Sequence, residues 1–402
     1  MFARHPFSYP TCYSASFVAS ETSGLSLSRT YKIGITVVGG DTNATAAIWS
    51  YGIGQNVAYL ALLFERMPEV SEVVLVSGPP GGDNVLGGMF GLKVVQLADA
   101  ITSLDVIIEL GSRALMPDEA ATLRRRGGRL VSYVAGNVAI NNFQAIALNA
   151  PGGDVPILGG FDAVWCTPQN YKASAGHLRM VRSPHTHIVP HIWSPYCLQT
   201  AMMRETGPAY WRPSGSKPRR IGVFEPNLAV TKTFHLPLLA SEEAYRKSPG
   251  KIDAVLLFNT TYMVHNQHFN SLVAATNLGR DKKVTIENLH PLPKVLGSHV
   301  DLVVTHQWEL NLNYLYWDVM YLGWPLVHSS DAIKDYGYYY PSFDAQAGGE
   351  AILRAIETHE DNIDAYREAT NELLWTFSIE NPKVMAAYRD RIVDLFEREA
   401  VS

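Results

Sequence analysis

The sequence predicts an α/β protein with two doubly wound parallel-sheet domains that face each other across a cleft. Short runs of Val, Ile and Leu alternate along the chain with helical segments, which is typical of parallel strands buried on both faces. With 402 residues, the chain is longer than one ordinary core accommodates. Residues 203–219 are rich in Pro, Gly, Ser and basic side chains, and they separate two such series. These observations indicate two Rossmann-like domains joined by a linker.

The composition excludes several classes of protein. Hydrophobic residues make up 47% of the chain and charged residues 18%, which is typical of a globular protein and not of a disordered one. The formal net charge of −5 suggests no strongly basic face, so nucleic acid is not expected as a partner. The cysteines Cys12, Cys166 and Cys197 are scattered and lack CxxC spacing, which favours a cytoplasmic location over a disulfide framework or a zinc site. No apolar run approaches the ~20 residues of a membrane span, and peripheral membrane contact is not indicated.

Five segments are expected along the chain, and their boundaries follow from changes in composition and pattern. They are a poorly ordered Ser-, Thr- and Ala-rich tail (residues 1–30), a first domain (31–202), a linker (203–219), a second domain (220–380) and a C-terminal segment (381–402). Pro382 stands at the head of an amphipathic helix in the last segment. This helix could pack back on the first domain.

The first domain is predicted to contain seven strands, because seven apolar runs end at turn or polar residues. These strands are residues 32–38, 72–77, 94–97, 104–110, 129–134, 162–166 and 187–190. A helix is expected at residues 55–66, where Val57, Leu60, Ala61 and Phe64 share one face. A second helix is expected at residues 117–126, with a proline near its start.

The second domain repeats the alternation of strands and helices. Its predicted strands are residues 220–224, 254–258, 284–287, 302–305 and 326–328. Its predicted helices are residues 232–246, 314–322, 350–360 and 363–376, and the C-terminal helix is predicted at 384–398. Parallel sheets of this kind bind ligands in the crevice outside the carboxyl ends of their strands. The polar residues that follow each strand are therefore the first candidates for function.

Residues 305–330 (THQWELNLNYLYWDVMYLGWPLVHSS) carry the densest group of such candidates. A nucleoside diphosphate would need a carboxylate for its ribose, and a cation, N–H groups and a helix N-terminus for its phosphates. Asp318 could accept ribose hydrogen bonds, or it could be a charge on an exposed helix face. Asn311, Asn313 and Tyr314 are placed near the phosphates at the start of a helix, although Asn313 could simply cap that helix. If Asp318 binds ribose, Asp318→Ala should weaken nucleotide binding and leave thermal unfolding nearly unchanged.

His306 and Glu309 lie three residues apart in the preceding turn, where both could face the cleft. His306 could donate to a phosphate or a sugar, or it could be buried and only tether the loop. Glu309 could bind sugar hydroxyls. No further pair of metal ligands is close in the sequence, so neither a metal nor another cofactor is expected.

Lys232 is expected in the first turn of the helix that follows the first strand of the second domain. Its ammonium could neutralise the charge that develops on a departing diphosphate, or it could be an ordinary surface lysine. Glu225 and Asn227 belong to the same loop, where polar residues are unusual directly after an apolar strand. They could hold the loop in place or contact a ligand.

In the first domain, the element WSYGIGQN contains Gly52, Gly54, Gln55 and Asn56. Its glycines permit close backbone approach, as in phosphate loops, but a single Gly–x–Gly is weak support for one. Dinucleotide binding also requires an acidic residue at the end of the second strand, and Ser77 stands there instead. The element is therefore expected to line the cleft against a donor phosphate or an acceptor, or to be only a tight turn between a strand and a helix.

A reaction in which a substrate hydroxyl attacks needs a base to deprotonate that hydroxyl. Asp41, Glu109 and His191 are the candidates in the first domain. Glu109 is the first choice, because it ends a buried strand and catalytic groups favour strand ends in such sheets.

These motifs, taken in order, resemble the GT-B class of glycosyltransferases. Residues 318–325 (DVMYLGWP) are similar to the class element acidic–Ala–Leu–x–x–Gly–x–Pro, and residues 305–311 (THQWELN) occupy the place of its His–Gly–Gly or Glu-rich loop. Residues 220–232 (RIGVFEPNLAVTK) stand where the C-terminal domain of that class begins. The pattern also resembles an uncharacterised family of bacterial glycosyltransferase-like proteins, over about residues 31–380.

The resemblance implies that the first domain binds the acceptor, that the second binds a nucleotide-sugar, and that no metal is needed. Many retaining members of the class have seven residues between two acidic side chains. Here eight residues separate Glu309 from Asp318, so the stereochemical outcome stays open. The expected activity is transfer of a sugar to a hydroxyl of a glycan, a lipid or a small molecule. A nucleotide-sugar epimerase and a non-catalytic nucleotide- or glycan-binding protein are the alternatives.

Overall fold

The computed structural model describes residues 29–37, 52–77, 85–110, 115–149, 160–213, 215 and 217–397. The candidate base Asp41, the first residues of the WSYGIGQN element and nearly all of the expected tail lie outside the described residues. All other candidate residues named above are within them. Two separate parallel sheets confirm the predicted fold class.

The sheet of the first domain has seven strands in the order β3-β2-β1-β4-β5-β6-β7. The strands are β1 (Tyr31–Val37), β2 (Val70–Ser77), β3 (Lys93–Gln96), β4 (Val106–Glu109), β5 (Arg129–Val134), β6 (Ala163–Cys166) and β7 (Thr186–Ile188). All neighbouring pairs are parallel. The strand order reverses between β1 and β4, which makes the sheet doubly wound and leaves a crevice at the carboxyl ends of these two strands.

The sheet of the second domain has six strands in the order β10-β9-β8-β11-β12-β13. The strands are β8 (Arg219–Val223), β9 (Ile252–Leu257), β10 (Val284–Ile286), β11 (Leu302–Val304), β12 (Leu326–His328) and β13 (Tyr338–Tyr339). The pairing is again parallel, and the order reverses between β8 and β11. The edge strand β13 was not predicted, because two residues are too few for a recognisable pattern.

Fifteen α-helices connect the described strands or follow them. They are α1 (Ile53–Phe64), α2 (Val85–Phe90), α3 (Leu97–Ser103), α4 (Pro117–Arg125), α5 (Val138–Ala147), α6 (Pro168–Val181), α7 (Tyr196–Ala201), α8 (His235–Lys247), α9 (Gln267–Ala275), α10 (Asn277–Arg280), α11 (Leu292–Val295), α12 (Tyr314–Tyr321), α13 (Ala345–Thr358), α14 (Ile363–Phe377) and α15 (Pro382–Glu397).

Helix α13 begins five residues earlier than the apolar pattern predicts, at Ala345. Asp344 caps it by accepting a hydrogen bond from the backbone N–H of Ala347 at 2.9 Å. The early turns contain Gly348 and Gly349, which disfavour a helix prediction. A β-carbon on Gly348 would lie 2.7 Å from the β-carbon of Ala240 in α8, so the absence of a side chain allows α8 and α13 to pack closely.

Within residues 203–219, expected as a linker, the part that contains Ala209 and Trp211 is anchored on the second domain. The buried Trp211 donates its backbone N–H to Leu322 at 2.8 Å, and the indole of Trp324 donates to the carbonyl of Ala209 at 2.7 Å. The large aromatic side chains of Trp211 and Trp324 therefore take part in holding this part of the predicted linker in place.

Helix α15 lies against the first domain. The hydroxyl of Tyr388 is 2.9 Å from that of Tyr133 and donates to the carbonyl of Pro190 at 2.7 Å. Near the end of the helix, Arg129 donates to the carbonyl of Leu395 at 2.9 Å. The chain thus crosses from the second domain back to the first.

None of the helices in the described part of the chain has both the length and the apolar character that a bilayer crossing requires.

Candidate functional site

A cavity of about 770 Å³ lies between the two domains, at the carboxyl ends of both sheets. On the first-domain side, its wall is formed by the start of α1, the end of β4 and the residues that follow β5. On the second-domain side, the wall is formed by residues that follow β8, β9, β10 and β11, and by the start of α12. Both strand-order reversals therefore open onto one cavity, which is where open α/β sheets bind ligands.

Eight of the candidate residues line this cavity. They are Gly52, Gln55, Asn56, Glu109, Lys232, Asn313, Tyr314 and Asp318. The candidate base His191 lines it as well. Gly54, His306, Glu309 and Asn311 are not among the lining residues, so a role for them at the cleft stays a prediction.

Lys232 is half-buried in the loop after β8, and its surroundings differ from those predicted. Helix α8 begins only at His235, so Lys232 precedes the helix instead of lying in its first turn. The backbone of Lys232 forms an antiparallel bridge with Gln307, in the loop after β11. Burial lowers the pKa of the Lys232 ammonium, and the Glu225 carboxylate opposes this shift. The bridge fixes the position of a cation in the wall of the cavity.

Glu225 and Asn227 hold the loop after β8 in place. Glu225 is 0% exposed and accepts hydrogen bonds from the backbone N–H of His306 and the side-chain amide of Gln307, both at 3.2 Å. Asn227 has a φ of +58° and accepts a hydrogen bond from the backbone N–H of Phe234 at 2.8 Å. Of the two alternatives for these residues, the contacts therefore favour the role of fixing the loop.

Asn313 caps α12, because its side chain accepts a hydrogen bond from the backbone N–H of Leu315 at 2.9 Å. The next residue, Tyr314, donates its hydroxyl to the side chain of Asn56 in the first domain at 2.6 Å. Gly52, at the N-terminus of α1, has a φ of +68°, which favours glycine. A β-carbon there would lie 3.6 Å from the Tyr314 ring. The starts of α1 and α12 thus meet at the cavity.

Asp318 lies on α12 and is 1% exposed, so it is not a charge on an exposed helix face. One of its oxygens accepts a hydrogen bond from the Trp193 indole at 2.9 Å, and the other accepts one from the Gln55 amide at 3.1 Å. Burial raises the pKa of this carboxyl to about 7, and these two hydrogen bonds partly offset the shift. Asp318 is therefore a buried contact between the domains as well as part of the cavity wall.

His306, Glu309 and Asn311 belong to the loop after β11 and are not among the residues that line the cavity. His306 is buried with its Nε2 3.0 Å from the hydroxyl of Ser342, and burial lowers its pKa to about 4. Glu309 has a φ of +54°, and its carbonyl accepts a hydrogen bond of 3.4 Å from Asn137. Successive side chains of extended chain point to opposite sides, so Gln307 enters the cavity wall while His306 does not. The tethering role is the one that the contacts of His306 favour.

In the first domain, Glu109 ends β4 and is 7% exposed. One carboxylate oxygen accepts a hydrogen bond from the backbone N–H of Leu115 at 3.1 Å. His191 accepts the indole N–H of Trp317 on Nε2 at 2.9 Å, and its Nδ1 lies 3.2 Å from the Gln169 amide. Burial lowers the pKa of His191 to about 3. Because burial disfavours the protonated ring and both nitrogens are engaged, His191 is less suited than Glu109 to accept a proton.

Several polar residues of the cavity wall were not identified from the sequence. They are Asn137, Gln169, Arg182, Asn259, His290 and Gln307. Asn259 and His290 follow β9 and β10, and Asn137 follows β5. Applying the strand-end rule to every strand would have found these three. Among the described residues, no three His, Cys, Asp or Glu side chains are grouped as ligands for a metal ion.

The comparisons with known proteins agree on family and fold. Residues 33–392 match the model of the family described as "Protein of unknown function (DUF2827)". The sequence has no match among curated proteins.

Three solved structures resemble nearly the whole chain. The structure of Anabaena HepE in complex with UDP and glucose has a TM-score of 0.57 and 14% identity, and the match covers 90% of this chain and 100% of HepE. The pneumococcal O-GlcNAc transferase GtfA in complex with UDP and GlcNAc has a TM-score of 0.53 and 10% identity, over 91% of this chain and 99% of GtfA. A glycosyltransferase from Rickettsia africae has a TM-score of 0.51 and 11% identity, over 92% of this chain and 100% of that protein. The chain therefore belongs to the DUF2827 family, and its two-domain architecture is the GT-B fold of glycosyltransferases.

Proposed function

We propose that this protein is a glycosyltransferase, which moves a sugar from a nucleotide-sugar donor to a hydroxyl group of an acceptor. The observation that carries the proposal is the cavity of about 770 Å³, whose walls are the carboxyl ends of both parallel sheets. Sites for small molecules and cofactors commonly have volumes of roughly 300–1,000 Å³. HepE with UDP and glucose and GtfA with UDP and GlcNAc have the same fold, which supports a nucleotide-sugar as the donor.

The donor would lie against the second domain. Lys232 and the N-terminal turn of α12, with Asn313 and Tyr314, adjoin the cavity on that side. A diphosphate is stabilised by a cation and by the positive end of a helix dipole. Lys232 would also neutralise the charge that develops on the diphosphate as it leaves. A carboxylate oxygen can accept more than one hydrogen bond, so Asp318 would take a ribose hydroxyl in addition to its contacts with Gln55 and Trp193.

The acceptor would lie against the first domain, where Gly52, Gln55, Asn56 and Glu109 line the cavity. In an inverting transfer, Glu109 would accept the proton of the acceptor hydroxyl as that oxygen attacks the sugar. The two domains would exclude water from the cavity and so protect the activated sugar from hydrolysis.

The test is to incubate the purified protein with UDP-, GDP-, ADP- and dTDP-sugars and to follow free nucleotide and sugar identity. Glycan, lipid and small-molecule acceptors are added in turn, and Glu109→Gln serves as the matched variant. We expect slow nucleotide release that an acceptor accelerates, with the sugar transferred to it. Sugar isomerisation without nucleotide release would identify an epimerase. Tight binding without release or isomerisation would identify a non-catalytic binding protein.

The same assay tests the proposal that no metal is required. We expect the rate of nucleotide release to be unchanged by EDTA, because Lys232 and the start of α12 supply the positive charge for the diphosphate. A loss of activity on chelation that Mg²⁺ or Mn²⁺ restores would contradict a metal-independent transfer.

A further inference from the structure

The strand-order reversal of the second sheet places the ends of β8 and β11 side by side, and Glu225 joins them. Its carboxylate is 0% exposed and does not line the cavity. One oxygen accepts hydrogen bonds from the hydroxyl of Thr305 and the backbone N–H of His306. The other oxygen accepts a hydrogen bond from the side-chain amide of Gln307 at 3.2 Å. A buried carboxylate behind the cavity wall thus ties the loop after β8 to the loop after β11.

The contact with Gln307 begins a chain of hydrogen bonds that ends in the first turn of α12. The amide oxygen of Gln307 accepts from the side-chain amide of Asn313 at 2.6 Å. The amide oxygen of Asn313 accepts from the backbone N–H of Leu315 at 2.9 Å. Glu225 is therefore linked through two amide side chains to the N-terminus of a helix that adjoins the cavity.

The direction of this chain is set at its far end. The backbone N–H of Leu315 can only donate, so the oxygen of the Asn313 amide must face it and the nitrogen must face Gln307. The same reasoning turns the oxygen of the Gln307 amide toward Asn313 and its nitrogen toward residue 225. Only a group that accepts at this position satisfies every donor. If residue 225 presented a donor to Gln307, the two donors would face each other. Rotating the amide of Gln307 or Asn313 would only shift this donor–donor contact to the next pair of groups.

Lys232 is held by the same elements. Its backbone pairs with Gln307, and its ammonium is attracted by the Glu225 carboxylate. We propose that Glu225 is a positioning residue for the donor diphosphate, because it ties both Lys232 and the N-terminus of α12, which line the same cavity, to one buried carboxylate. This inference rests on the proposed function, which supplies the diphosphate. Glu225 touches neither donor nor acceptor and acts through Gln307, Asn313 and Lys232.

The test compares UDP with uridine as probes, by calorimetry or by ligand NMR, in folded variants at about pH 8, where Glu225 is ionised. Glu225→Gln keeps the shape of the side chain but replaces one acceptor oxygen by an NH2 donor, which must face either Gln307 or the backbone N–H of His306. Thr305→Val removes one hydrogen bond to Glu225 without changing any charge, and Thr305 does not line the cavity. Glu242→Gln is the control, because Glu242 is a buried carboxylate of α8 that accepts from the backbone N–H groups of Asn277 and Leu278, and it does not line the cavity.

We expect Glu225→Gln to raise the dissociation constant of UDP about tenfold or more, and Thr305→Val to raise it by a smaller factor. Uridine binding should be unchanged in both variants, and Glu242→Gln should bind UDP like the wild type. Loss of a negative charge alone would strengthen binding of an anion, so weaker UDP binding reports lost positioning.

Unchanged or tighter UDP binding in Glu225→Gln would overturn the inference and leave the proposed function standing. Equal weakening of UDP and uridine would also overturn it, because a general structural role would affect both ligands. If the wild-type protein binds none of UDP, GDP, ADP and dTDP, the proposed function fails and the inference fails with it.

Discussion

The carboxylate of Asp318 in the second domain accepts a hydrogen bond of 3.1 Å from the amide of Gln55 in the first domain. Its other oxygen accepts from Trp193, also in the first domain. Two further side chains of α12 make similar contacts, since Tyr314 donates to Asn56 and Trp317 donates to His191. Helix α12 therefore joins the two domains along one side of the cavity through buried side-chain hydrogen bonds.

This arrangement changes the expected outcome of Asp318→Ala. The variant would leave the buried N–H groups of Trp193 and Gln55 without their acceptor, so we expect the free energy of unfolding to fall by about 2–3 kcal/mol. The sequence-based expectation that thermal unfolding would be nearly unchanged is replaced by this one. Urea and thermal unfolding measure the effect, with the exposed Asp335→Ala as the control. An unchanged free energy of unfolding in Asp318→Ala would show that these hydrogen bonds do not contribute to stability.

Buried histidines make stability depend on pH. Burial lowers the pKa of His191 to about 3, and that of His306, His328 and His359 to about 4. The unfolded chain binds protons at these side chains below their ordinary pKa of 6.5. The histidine contribution to stability is therefore complete above pH 6.5 and is lost as the pH falls toward 4.

Two buried carboxyls act in the opposite direction. Burial raises the pKa of Glu225 from 4.5 and that of Asp318 from 3.8, in both cases to about 7. The folded chain therefore holds protons that the unfolded chain releases, and this contribution falls as the pH rises from about 4 to about 7. Four histidines outnumber two carboxyls, so we expect the free energy of unfolding to decrease on acidification below pH 6.5.

Urea unfolding at about pH 5, 6 and 7 checks this balance. Asp318→Asn removes one of the two opposing contributions, so its stability should fall more steeply than that of the wild type over this range. Parallel pH profiles for the two proteins would show that the pKa of Asp318 is not raised in the folded chain.

Replacing Lys232 by Met should weaken the binding of nucleoside diphosphates. The change removes the charge but keeps an apolar chain of similar length, and loss of a charged hydrogen bond weakens binding by about 10- to 100-fold. Calorimetric titration with UDP measures the effect. Lys334→Met is the matched control, because Lys334 is an exposed lysine of the same domain that does not line the cavity. Equal UDP affinities in the two variants would show that Lys232 does not bind the diphosphate.

Replacing Glu109 by Gln should separate catalysis from donor binding. Gln cannot accept the acceptor proton, so we expect turnover to fall by about 100-fold or more, which is the usual contribution of a general base. UDP affinity should be unchanged, because Glu109 lies on the first-domain wall. The exposed Asp118→Asn in α4 serves as the control. A parallel loss of UDP affinity would assign Glu109 a structural role, consistent with its hydrogen bond to Leu115.

The sequence by itself determined the fold class and most of the strands. Strands β5 and β12 have the predicted bounds, because buried parallel strands are continuous apolar runs that end at a polar or turn residue. The strand-end rule also led from the sequence to Glu109, Lys232 and Asn313, which line the cavity. These features depend on local pattern, and a local pattern is visible in one sequence.

Only the tertiary structure decided which polar side chains face the cavity and which face the interior. His306 and Gln307 are adjacent in the sequence, yet Gln307 lines the cavity while His306 is buried against Ser342. Glu225 and Asp318 have no local partner: they are satisfied by residues about 80 and more than 100 positions away, respectively. Burial of a charge is stable only where distant chain segments bring donors to it, and that meeting of segments is set by the packing of the two domains.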